Sequence, residues 1–291
     1  TMYTIHLMPA SFGDSILIEY GTDKKNYILI DGGPYYAYED IMRYIHENIP
    51  NLTEIELLVV THVDIDHIDG IVVMLNQPKL PFAIKEIWFN SIEHMQEQSD
   101  LLGALQGEYL SNLIKKCKIP LNTSFGGKAV FIKDENKLPQ IKLHGGMEIT
   151  LLNPTKIGLQ KMAPVWEKEM QAFKEDNTIK ERLHDDYRYE EVILDDLLGK
   201  STIEEMQKEK VKGDESEANG CSIAFLASYQ NKHCLFAADA HTKYLEQSIQ
   251  IHLQQIGKNT LTLDAWKLAH HGSKKSTLDS LTEVVFCIKN E

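Results

Sequence analysis

Residues 55–60 (IELLVV) form a short run, apolar but for Glu56, that ends abruptly in Thr61-His62-Val63-Asp64-Ile65-Asp66-His67. A strand exposed on one face alternates apolar with polar residues, whereas a short apolar run fits a strand covered on both faces. Such a strand needs layers on either side of it. The flanking sequence agrees. Residues 3–8, 15–20 and 26–31 read as closely spaced strands, with Gly13-Asp14 as a turn between the first two, which predicts an antiparallel meander. Helices are expected over 38–48, closed by Pro50, over 68–75 and over 101–116. Further strands are expected at 84–89, 148–152, 222–228, 233–238, 264–269 and 283–288. Strands alternating with helices predict a layered α/β fold with the helices outside.

Composition narrows the class. The chain has 291 residues, 43% of them hydrophobic and 25% charged, which excludes a fibrous or wholly disordered protein. Its 43 Asp and Glu against 30 Lys and Arg leave a net charge of −13, which argues against a broad non-specific grip on nucleic acid. Cys117, Cys221, Cys234 and Cys287 lie far apart with no CxxC pair, the pattern of reduced thiols. No apolar run approaches the roughly 18 residues of a membrane span, and no signal peptide is visible at the N-terminus. The expectation is one cytoplasmic domain over 1–291, without a membrane association. Residues 156–218 break the rhythm with 17 acidic and 11 basic side chains. They read as a charged helical insertion with a mobile end, either a solvated surface hairpin or a lid or arm that docks a partner.

Chemistry concentrates at strand ends. His62, Asp64, Asp66 and His67 offer four ligand-capable side chains directly after a buried strand, where open α/β sheets place their sites. Alternation along an extended segment would turn His62, Asp64 and Asp66 to one side, with His67 joining from the turn. A helix N-cap needs one such residue, not four. Two imidazoles with two carboxylates suit Zn, Mn or Fe better than an all-oxygen Ca or Mg site. Asp239 ends a second apolar strand, and His270-His271 end a third, just before Gly272. Asp31, in Ile30-Asp31-Gly32-Gly33, suits an acceptor that orients a ligand better than a ligand itself.

The order HxDxDH, an early DGG, a later strand-end Asp and a closing HHGS resembles the metallo-β-lactamase superfamily. Ala10-Ser11-Phe12-Gly13-Asp14-Ser15, the HxDxDH variant, Asn219-Gly220-Cys221-Ser222 and HHGS resemble the hydrolase domain of ComEC-type DNA-uptake proteins and its free-standing relatives. The resemblance implies a four-layer αββα sandwich binding one or two divalent metal ions, Zn or Mn. It implies that His62 and Asp64 serve a first metal and Asp66 and His67 a second, with Asp239 bridging. His271 would complete the second site, His270 would face substrate or an oxyanion, and the two histidines could exchange roles. Asp31 would brace a ligand histidine, Asp66 would hold or accept the proton of a metal-activated water, and Asn219, Ser222 and Ser273 would line the substrate side. The chain departs from the superfamily at Asp64, where His is usual, and at Ala238, where Gly is usual; it also lacks a clear middle histidine, His94 and His144 both standing in unmatched contexts. The resemblance implies a phosphodiesterase or nuclease acting on DNA or other nucleic acid. A small-molecule ester or phosphodiester hydrolase, and a hydrolase subunit gated by a partner, are the alternatives. A homo-oligomer or protein partner would meet the chain through 156–218 or the C-terminal edge.

Overall fold

A computed structural model of the protein describes residues 3–91, 103–162, 217–273, 281 and 285–287. Two five-stranded sheets face each other. The first contains β1 (Tyr3–Leu7), β2 (Ile16–Tyr20), β3 (Asn26–Ile30), β5 (Leu57–Val59) and β7 (Ile87–Trp88), in that order. Its first three strands are the expected antiparallel meander, after which β3, β5 and β7 run parallel. The second sheet has the order β13 (Ala265–Lys267), β11 (Lys232–Phe236), β10 (Ala224–Tyr229), β9 (Glu148–Asn153), β8 (Gln140–Lys142).

Strand alternation divides the core in two. Ile16, Ile18, Ile28, Ile30, Leu57 and Val59 pack into the interior shared with the second sheet. Leu17, Leu29, Leu58 and Val60 point the other way, onto Ile45 of α1 (Tyr38–Asn48), Ile68 and Ile71 of α2 (Ile65–Leu75) and Leu110 of α3 (Gly103–Cys117). Leu245, Ile249 and Leu253 of α4 (Thr242–Ile256) join the core of the second sheet, giving helix, sheet, sheet, helix. This is the expected αββα sandwich. β5 lies at its centre with every residue buried. Glu56, just before β5, is also buried, and its carboxylate accepts hydrogen bonds from the Tyr20 hydroxyl and from the Gly145 N–H at 2.8 Å.

Several boundaries differ from expectation for local reasons. Residues 84–89 are not one strand: β6 (Ala83–Ile84) pairs with β4 (Glu54–Ile55), while β7 joins the first sheet. The strand expected at 264–269 is shorter, β13 over 265–267, and Asp264 turns the chain between it and a preceding strand, β12 (Leu261–Leu263). Its carboxylate accepts from the His233 N–H at 2.9 Å, and β12 pairs instead with β14 (Val285–Cys287). Of the expected insertion, 163–216 lie outside the described residues; Leu159 and Met162 before them are buried. Cys117, Cys221 and Cys234 are free thiols.

Glycines bring the loop after β3 against α2. The Gly32 N–H donates to the His67 carbonyl and the Gly70 N–H to the Gly33 carbonyl, both at 2.9 Å. A Cβ on Gly70 would stand 1.9 Å from the Gly32 carbonyl oxygen. Gly70→Ala must therefore part the helix from the loop, at a cost of about 2–3 kcal/mol. A thermal melt should show a clearly lowered midpoint; an unchanged midpoint would disprove this close approach.

Candidate metal centre

Loops at the carboxyl ends of β3, β5, β11 and β13 converge on one place. The segment after β5 is not extended as far as the sequence suggests. Its backbone turns helical at Ile65, with His67 and Ile68 N–H both donating to the Asp64 carbonyl, at 2.9 and 3.0 Å. Asp66 and His67 thus belong to the first turn of α2, and Asp64 is its N-cap residue, without a side-chain capping bond. Helical geometry, not strand alternation, is what swings Asp66 and His67 inward.

Asp31, buried and at φ 55°, organises this turn. Its Oδ1 accepts from the Thr61 N–H at 2.8 Å, and its Oδ2 accepts from the Thr61 hydroxyl at 2.7 Å. That same Oδ2 lies 2.8 Å from His67 Nδ1. A hydroxyl has one proton, and Thr61 gives it to Asp31. The contact of 2.9 Å between Thr61 Oγ1 and His62 Nδ1 therefore needs the proton on the imidazole. Both histidines are held by Nδ1, and both turn Nε2 toward the centre.

Those Nε2 atoms and Asp239 Oδ1 are buried without hydrogen-bond partners. One such atom costs about 1–3 kcal/mol, so three in one place point to a ligand rather than to packing. His62, His67 and Asp239 present their ligand atoms within 4.8 Å of one another, and so do Asp66, His67 and His271. This donor set fits a divalent cation. Asp239 Oδ2 lies 3.6 Å from His67 Nε2, 3.7 Å from His271 Nε2 and 4.0 Å from His270 Nε2. His271 Nε2 approaches Asp66 Oδ2 to 3.2 Å, so His271 is the member of the pair that joins a donor group. His270 stands further out, with Nδ1 3.5 Å from Asn219 Nδ2. Asp64 belongs to neither group; its side chain is 40% exposed, with Oδ2 3.6 Å from His62 Nε2. Ser222 is fully buried, its carbonyl taken by Asn153 Nδ2, and the Ser273 N–H donates to the His270 carbonyl.

Three participants carry no recognisable ligand signature in the sequence. Thr61 orders the histidines. Asp14 forms an ion pair with Lys267 and lies 3.6 Å from His271 Nδ1. Lys267 also stands 3.8 Å from Asp239 Oδ1. The clue to the latter two is that Asp14 is the Asp of the FGDS motif and Lys267 stands just before HHGS. Backbone strain collects here as well: Ala238, His270 and His271 have φ of 47°, 48° and 53°.

The charges are mutually dependent. Burial would raise the Asp14 carboxyl, but His271 and Lys267 outweigh it and bring it down to about 2. Burial likewise opposes ionisation of Asp239, yet His67, His62 and Lys267 hold it well below the ordinary range. Asp14 and then Asp66 raise His271 to about 9. His67 is raised despite its burial, because Asp239 and Asp31 flank it.

No protein-family model matches the chain, and no curated protein does. Among solved structures, zinc-bound PqqB from Methylobacterium extorquens aligns at 13% identity and a TM-score of 0.39 over 86% of this chain. The chain spans 59% of that protein's length. A Thermotoga maritima protein described as a candidate metallo-β-lactamase aligns at 17% identity and a TM-score of 0.24, covering 52% of this chain and 69% of that one. At these values the reading of the centre stands on its own geometry.

A cation bound by His67 and His271 must displace the protons that the carboxylates retain there. Zinc affinity should therefore weaken as pH falls from about 9, where His271 gains its proton. Calorimetric titrations in two buffers of different ionisation heat should show proton release, diminished by His271→Ala. Absence of release would contradict the charge state described.

Proposed function

We propose that this protein is a metal-dependent hydrolase of the metallo-β-lactamase type, acting as a phosphodiesterase on DNA or another nucleic acid. The observation that carries the metal dependence is the pair of donor groups sharing His67, with partnerless Nε2 and Oδ1 atoms turned into them. Mixed imidazole and carboxylate donors favour Zn or Mn. His62, His67 and Asp239 would hold one ion; Asp66 and His271 would hold or shape the place of a second, because the single lone pair of His67 Nε2 can serve only one of them. When bound, such an ion supplies Lewis acidity and brings the pKa of water toward neutrality, so no serine or cysteine nucleophile is required.

The chain's own groups do the remainder. Asp31 and Thr61 fix the two histidines before substrate arrives, which removes reorganisation from the reaction. Asp66, on the rim of the centre, is placed to accept a proton from an attacking water. Lys267 and His270, both beside Asp239, face the charge that grows on a phosphoryl oxygen, and Asn219 steadies His270. Asn219 and Ser273 are the polar groups offered to the rest of the substrate. The phosphodiester assignment draws on the sequence resemblance and on these two side chains beside the centre. The net charge of −13 favours a short strand over a long duplex footprint.

Cleavage of labelled single- and double-stranded DNA, with and without added Mn and at two salt concentrations, tests this reading. The expected result is metal-dependent cleavage, stronger on single strands and weakened by salt. Replacing Asp66 and His67 together by Ala should abolish it and lower bound metal while the thermal transition persists. Full activity in that variant would overturn the site. Bound metal with turnover only of small phosphodiesters would overturn the nucleic-acid substrate.

A further inference from the structure

β11 leads to the metal centre at one end, through Asp239, and to a different cavity at the other. Cross-strand pairing sets Thr150 beside Leu226, and Ser228 beside His233, on the face of the second sheet that α4 covers. Leu245, Ile249 and Leu253 of α4 are apolar and buried. One turn beyond the buried Ser248, the helix contributes His252 to a sheet surface that has itself become polar. A sheet face beneath a helix is ordinarily apolar, because polar groups there must find partners. Here the two surfaces flank a half-open cavity of about 450 Å³, within the usual range of small-ligand sites.

The lining brings two lysines and two imidazoles together in a chain whose net charge is −13. Lys142, Lys258, His233 and His252 stand around it, and Glu148, the carboxylate among the described lining residues, lies 3.5 Å from Lys142. His252 is 7% exposed, and its Nδ1 has no hydrogen-bond partner. His233 is fixed by a 2.8 Å contact between its Nδ1 and the Ser228 hydroxyl. Burial, and then the proximity of His233 and Lys258, holds the His252 pKa below its ordinary value. Basic groups crowded round one space repel one another, and an anion between them relieves that repulsion.

We infer that this cavity binds a small organic phosphate, with the phosphate among Lys258, His233 and His252 and the ester portion against Leu226 and Ile256. Several basic groups and hydroxyls converging from sheet and helix suit a compact dianion better than a planar carboxylate. The site is separate from the metal centre and does not rest on the hydrolase reading.

Calorimetric titration of the full, metal-loaded chain with glycerol 3-phosphate tests it. The expected result is saturable binding at millimolar or lower concentration. Lys258→Glu and His252→Leu should each weaken it about tenfold or more, with metal content and thermal midpoint nearly unchanged. His67→Ala should leave it in place. Binding that survives both cavity variants, binding lost with His67→Ala, or no saturable binding would each overturn the inference. Succinate binding more tightly than glycerol 3-phosphate would overturn the phosphate assignment.

Discussion

The carboxylate of Asp31 is the contact on which the centre depends. It is buried at the end of β3, yet its oxygens accept from the Thr61 amide, the Thr61 hydroxyl and His67. By consuming the one proton of Thr61 it obliges His62 to donate as well, so a single carboxylate sets the orientation of both imidazoles. Two neighbouring strands are tied together by the same bonds. Charge-assisted bonds of this kind are each worth about 1.5–3 kcal/mol, and the low dielectric around them strengthens the set.

Around that anchor the backbone is arranged by close approach. Gly13, Gly32 and Gly70 let the loops after β1 and β3 lie directly on α2. Asp14 N–H reaches the Asp66 carbonyl at 3.2 Å, and Gly33 N–H reaches the Asp14 carbonyl at 2.8 Å. The other half of the centre comes from the second sheet through left-handed residues at 238, 270 and 271. Only Gly adopts that conformation freely, so an alanine and two histidines hold it against a steric cost of about 1–3 kcal/mol each. The Lys267–Asp14 ion pair crosses between the two sheets and joins these halves.

The second sheet is used at both ends. Its strands end on one side in the donor groups of the centre and on the other in the basic cavity under α4. Both places concentrate ionisable groups, carboxylates around histidines in one and basic groups around a space in the other.

The layered fold was legible in the sequence because hydrophobic period reports burial directly: the meander, α1 over Tyr38–Asn48 and the buried strand before His62 all follow from it. The ligand-capable residues were legible too, since His and Asp at successive strand ends have little structural reason to be there. Which of them meet was not. Asp64 and Asp66 look equivalent in HxDxDH, but the helix starts between them and carries only Asp66 into a donor group. His270 and His271 are adjacent, and a left-handed turn distinguishes them. Thr61, Asp14 and Lys267 are ordinary residues until long-range packing places them. Likewise the polar cavity draws on β8, β9, β10, β11 and α4, each unremarkable alone. The amino-acid sequence by itself determined the layers and the chemical inventory, because burial and residue type are local properties. Tertiary structure alone decided the partners, because hydrogen bonds and ligand groups are satisfied by residues distant in the chain.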